Sequence, residues 1–202
     1  MKSNLILLGS FLLGLAVGGI DLVPDAIVES DLGNYLLYLL LFLVGLSVEN
    51  DRDTIRGFRQ LSPRLLVLPF LTIIGSMCGG VVAALLLGQS LYEMLSVSQG
   101  LAYYSLSSIL ITEKLGITLG AIALFSNVFR ELLTLLLAPL LVKYLGPLAP
   151  IAAGGATTMD VTLPAILNAS GKEYLVPAIY HGFVCDFSVP ILVTLFIELA
   201  LG

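Results

Sequence analysis

The sequence predicts an all-α integral membrane protein, with about seven transmembrane helices in one bundle and two of them interrupted around a central polar cavity. Three observations predict it. Of 202 residues, 58% are hydrophobic and 11% charged, against roughly 45–50% and about 25% in globular chains, and the mean hydropathy is +1.04. Apolar runs long enough to cross a bilayer recur along the whole length. A few polar and charged groups lie inside those runs, where lipid cannot satisfy them.

Taken in order, the spans fall at about 4–20, 34–49, 64–87, 94–111, 118–142, 149–168 and 174–200, and form one transmembrane domain over 1–202. The first run follows a single Lys2 and precedes the acidic stretch 21–34 with no small-residue cleavage site, so it reads as a first span rather than a secretory signal. The acidic stretch carries Asp21, Asp25, Glu29 and Asp31, and the segment 50–64 carries Arg52, Arg56, Arg59 and Arg64. With the N-terminus in the cytoplasm, those arginines, Lys2, Lys114 and Lys172 lie inside and Lys143 outside. This follows the positive-inside rule and puts the C-terminus outside.

The pairs Gly14/Gly18, Gly75/Gly79 and Gly116/Gly120 have the spacing of close helix packing in lipid, and Pro69, Pro139 and Pro190 read as kinks. Two segments are too polar for a lipid-facing helix and too deep in apolar sequence for a loop: YYSLSS at 103–108 and GGATTMDVTLP at 154–164. Polar backbone at membrane depth is tolerated where it is buried or lines a cavity. Both therefore read as interrupted helices flanking a water-accessible site, with Tyr104, Ser105 and Ser108 on one side and Thr157, Thr158 and Asp160 on the other. The competing readings are an aromatic belt for the tyrosines and back-bonding to the i−4 carbonyl for the threonines.

An ionised side chain at the bilayer centre costs roughly 2.5–3.5 kcal/mol even on the lenient insertion scale, so each needs a partner or a purpose. Arg130 and Glu131 lie in the fifth span, Asp160 in the sixth, and His181 and Asp186 in the seventh. Asn127 and Glu131 are four apart and share a helix face, whereas Arg130 points about 100° away from Glu131. Arg130 is expected to pair with Asp160 or Asp186 across helices. Glu131 is expected to face the cavity, where partial dehydration favours a protonated carboxyl that can exchange its proton for a cation. His181 reads as a proton relay or as a hydrogen-bonded packing residue.

Several classes are excluded or set aside. The negative net charge of −5 and scattered basic residues argue against nucleic acid. Cys78 and Cys185 lie in apolar runs and define neither a disulfide scaffold nor a metal site. No cofactor is expected. An intramembrane enzyme is set aside because the chain has no HExxH, no glycine-framed serine with a matching helical histidine, and no pair of aspartates in the usual intramembrane-protease motifs. An accessory membrane subunit leaves the Arg130/Glu131 and TTMD clusters unexplained. A carrier of another ion stays open on composition.

The segments YYSLSS, SNVFRE at 126–131, GGATTMDVTLP and HGFVCDFSVP at 181–190, in this order and spacing, resemble the LysO family of lysine exporters over most of the chain from about residue 35. The resemblance implies a prokaryotic inner-membrane carrier that exports L-lysine and toxic lysine analogues in exchange for protons, and it puts Glu131 at the position of a functionally important intramembrane acid. Longer family members look like this chain plus an N-terminal membrane portion of about three spans holding a second acid. The resemblance thus also implies a homodimer, or a small membrane partner, that supplies the corresponding surface.

Overall fold

The structure, a computed structural model, describes residues 63–202 together with the helical positions Leu13, Ala16, Val17, Tyr35 and Leu39. The chain divides into two compact units, Met1–Arg56 and Gly57–Gly202, and the second is the one described in detail. Apart from those five positions, the expected spans 4–20 and 34–49 lie outside the described residues, as do the acidic stretch 21–34, Arg52, Arg56 and Arg59 and the side chain of Arg64.

Among the described residues every regular element is a helix. The order is α1 (Pro63–Leu87), α2 (Leu91–Ser98), α3 (Tyr104–Leu115), α4 (Ile117–Leu145), α5 (Ala149–Gly154), a 3-10 segment (Gly155–Met159), α6 (Leu163–Ser170), a second 3-10 turn (Lys172–Tyr174) and α7 (Leu175–Leu201). Three helical stretches are long and apolar enough to cross a membrane: Leu65–Leu87, Ile117–Leu145 and Lys172–Leu201. The expected spans 94–111 and 149–168 are each a pair of short helices with a break between them. Pro69, Pro139 and Pro190 sit inside helices that continue past them.

The apolar residues of the long helices are distributed for lipid. On α4, Phe125, Phe129, Leu133 and Leu137 recur every four residues and are exposed, as are Phe183, Phe187, Ile191, Leu195 and Leu199 on α7. In water such stripes would be a large liability, whereas in a bilayer they are the outer surface. The core is small and central. Leu101 and Ala156 from the two breaks pack there with Ile111 of α3, Ala123 of α4, and Cys185, Val189 and Val193 of α7.

The glycine spacing is only partly about helix packing. A Cβ on Gly75 or Gly79 would meet nothing within 4 Å, and Gly116 is the turn between α3 and α4 rather than a helix-face residue. Gly120 does pack α4 closely on Thr112 of α3 and Gly80 packs α1 on Ser98 of α2; the other close approaches are made by glycines at the breaks and facing them.

Candidate functional site

The first break spans Gln99 to Tyr103. Leu101 and Ala102 take φ of +46° and +71°, a region that residues with a side chain rarely adopt. Both are buried, so the turn is held by its surroundings. Asn127 on α4 holds it: its Oδ1 accepts the Ala102 N–H at 2.8 Å, while its Nδ2 donates to Ala123 O at 2.9 Å and Val97 O at 3.5 Å.

The second break begins where α5 ends at Gly154. Gly155 has φ of +63°, and a Cβ there would collide with the Leu101 carbonyl, so only glycine lets the two breaks touch. They do touch, because the Ala156 N–H donates to Leu101 O at 2.8 Å. Beyond it, the threonine hydroxyls fold back onto the backbone that the break leaves unpaired. Thr157 Oγ1 donates to Gly154 O at 2.9 Å, Thr162 Oγ1 to Thr157 O at 2.9 Å, and Thr158 Oγ1 lies 2.9 Å from both Gly155 O and Ala178 O.

Arg130 corrects one expectation. It pairs with neither Asp160 nor Asp186. Its Nε donates to Ala153 O at 2.7 Å, Nη2 to Ala152 O at 3.1 Å, and Nη1 to Ser76 Oγ at 2.7 Å. The guanidinium thus caps the C-terminal end of the broken helix α5, where unpaired carbonyls and the helix dipole favour a cation.

A second correction concerns YYSLSS. The interruption lies just upstream of it, and Tyr104 to Ser108 open α3. Serine hydroxyls can be satisfied inside a helix, as Ser107 Oγ is by Tyr103 O at 2.9 Å; the backbone turn is made by the Gln99–Gly100–Leu101–Ala102 run instead. Ser105 is exposed and Ser108 half-buried on α3.

His181 is fully buried, with Nε2 2.9 Å from Thr72 Oγ1 of α1 and Nδ1 3.2 Å from Thr158 Oγ1 of the second break. A single Nδ1–H tautomer satisfies both contacts, which is the packing alternative for this residue. Gly182 beside it lets α7 approach the break, since a Cβ there would lie 2.6 Å from the Met159 nitrogen.

The remaining acids converge. Glu131 is half-buried on α4, and its Oε2 is buried with no hydrogen-bond partner among the described residues. Asp160, at the end of the second break, is within Coulombic reach of Glu131 and of Asp186, and Tyr104 is within reach of Glu131 and Asp160. Asp160 Oδ1 accepts its neighbour Val161 N–H at 2.5 Å. Of the sequence-predicted residues, Tyr104, Glu131 and Asp160 are electrostatic neighbours, and Asp186 neighbours Asp160. Asn127, Arg130, Thr157, Thr158 and His181 build the crossing of the breaks beside them.

Sequence reasoning passed over Thr72, Ser76 and Gln99. Thr72 and Ser76 stand four apart on the otherwise apolar α1, and that shared face was a readable signal. Gln99 is fully buried, with Oε1 unpartnered.

A family model described as "Lysine exporter LysO" matches residues 8–197. The chain is 34% identical over 195 residues to the lysine exporter LysO of Escherichia coli, covering 96% of this chain and 64% of that protein, so it spans under two thirds of that relative's length. It is also 34% identical over 162 residues to a putative lysine exporter of Haemophilus influenzae, covering 80% of this chain and 82% of the relative. No solved structure matches. A match over nearly the whole chain, on a multi-pass helical membrane scaffold, makes this protein a member of the LysO lysine exporter family.

Proposed function

We propose that the chain exports L-lysine and cationic lysine analogues across a prokaryotic inner membrane in exchange for protons, with the N-terminus in the cytoplasm and the C-terminus outside. The observation that carries this reading is the buried Oε2 of Glu131, unpartnered among the described residues, with Asp160 and Tyr104 as its electrostatic neighbours. A carboxyl group with no partner in a partly dry site is stable when protonated and gives up that proton when an ammonium group arrives. One site then binds either cation and couples their opposite movements. Two broken helices that cross are the arrangement on which carriers with discontinuous helices build a site, and that supports the reading. Family membership supports lysine as the substrate.

A lysine-export-deficient host grown on a toxic lysine analogue tests this reading. Expression of the chain restores growth if it exports alone; no restoration at normal membrane levels rejects a self-sufficient exporter. In a second reading, a second copy of the chain or a small membrane partner completes the site. Crosslinking in the membrane, and restoration of growth only on co-expression, identify that case.

A further inference from the structure

We propose that the groove between α1, α2 and α4 is a carboxylate subsite, in which Arg130 binds the carboxylate of the transported amino acid. The proposal rests on the lysine-export reading and adds a second pole to it: Glu131 and its neighbours take ammonium groups, and a separate pocket takes the acid end.

The groove has a volume of about 340 Å³, and its polar lining comes from Ser76, Ser98, Ser126, Asn127 and Arg130, with Gly80 opening its wall. No acidic residue lines it. Among the described residues Arg130 is the only charged group lining it, and none of their carboxylates is bonded to it. Its partners are two carbonyls and a hydroxyl, which orient the guanidinium without neutralising it. A guanidinium has five N–H donors, of which these bonds use three, so two remain. A cation held at membrane depth without a counter-charge is costly, and a planar fork with free donors is the group best matched to a carboxylate.

The neighbours are already committed. Asn127 spends its amide on the first break, and Ser98 Oγ donates to Leu95 O at 3.0 Å. Ser126 is exposed, lines the groove, and precedes Arg130 by four residues on the same helix face. It is therefore the position from which the subsite can be filled artificially without disturbing either break.

The test measures binding of lysine and of lysinamide to the purified full-length chain. Lysinamide keeps both amino groups and the stem but replaces the carboxylate with a neutral amide. The acidic cluster alone predicts that lysinamide, with its greater positive charge, binds at least as tightly as lysine. The carboxylate subsite predicts the opposite order, with lysine tighter by about tenfold or more, as expected when a site built for a charged group meets an analogue that lacks it. Ser126→Asp places a carboxylate against Arg130 and should weaken lysine about tenfold while leaving lysinamide within about threefold. Equal binding, or tighter lysinamide binding, by the wild-type chain overturns the subsite whatever the variant does, as does a Ser126→Asp protein that keeps its preference for lysine. Binding of neither compound overturns the lysine reading itself and the subsite with it.

Discussion

Asn127 and Arg130 stand one turn apart on α4, and each holds the backbone of a different broken helix: Asn127 accepts the Ala102 N–H of the first break, and Arg130 donates to Ala152 O and Ala153 O at the edge of the second. Residues three apart on a helix are neighbours on its surface, so one face of α4 grips both breaks where they cross. Glu131, the next residue, points elsewhere and is left free of that framework. The SNVFRE segment therefore holds both breaks and carries the proposed coupling acid within six residues.

Replacing Arg130 tests the scaffold half. Arg130→Met leaves Ala152 O, Ala153 O and Ser76 Oγ without their donor, at about 1–3 kcal/mol for each stranded buried carbonyl. Lower yield and a lower melting temperature in detergent are expected. Arg130→Lys should recover part of the loss, because its ammonium keeps the charge at the α5 end but cannot match the fork. A Met variant as stable as wild type would remove Arg130 from the framework.

Gly155→Ala is expected to be among the most damaging small substitutions in the chain. The backbone at Gly155, φ +63° and ψ −130°, is one that side-chain-bearing residues hold only at a cost of about 1–3 kcal/mol, and the new Cβ would also collide with the Leu101 carbonyl, which is backbone and cannot swing away. Gly79→Ala is the control: its Cβ meets nothing within 4 Å, and the change should stay within about 0.5 kcal/mol. Thermal unfolding of both variants checks the contrast.

His181→Ala should destabilise the chain by about 2–4 kcal/mol, through a cavity and the loss of partners for Thr72 and Thr158. Export per folded molecule should persist. Full stability combined with lost export would move His181 into the transport chemistry.

Glu131→Gln should preserve the fold, since it retains size and hydrogen-bonding capacity, and its melting temperature should stay close to wild type. It should abolish resistance to a toxic lysine analogue and flatten the pH dependence of lysine binding, because the amide neither takes up nor releases a proton. Normal export by the Gln variant across the neutral pH range would make Glu131 structural and pass the coupling role to Asp160 or Asp186.

The sequence by itself determined the solvent and the suspects. Apolar runs of membrane length require lipid around them, and intramembrane charges are expensive enough that Arg130, Glu131, Asp160, His181 and Asp186 stood out without a structure. The break at Gly154–Asp160 was legible because paired glycines and clustered hydroxyls sit where a lipid-facing helix would exclude them. Only tertiary structure decided which partner each suspect takes. The first break lies at Gln99–Tyr103, and not within YYSLSS, because a serine's hydroxyl can be satisfied inside its own helix, whereas the turn at Leu101–Ala102 depends on Asn127 from a distant segment. Arg130 binds carbonyls instead of an acid because a broken helix end presents unpaired acceptors, and which helix ends where is a property of the packed chain that linear spacing does not encode.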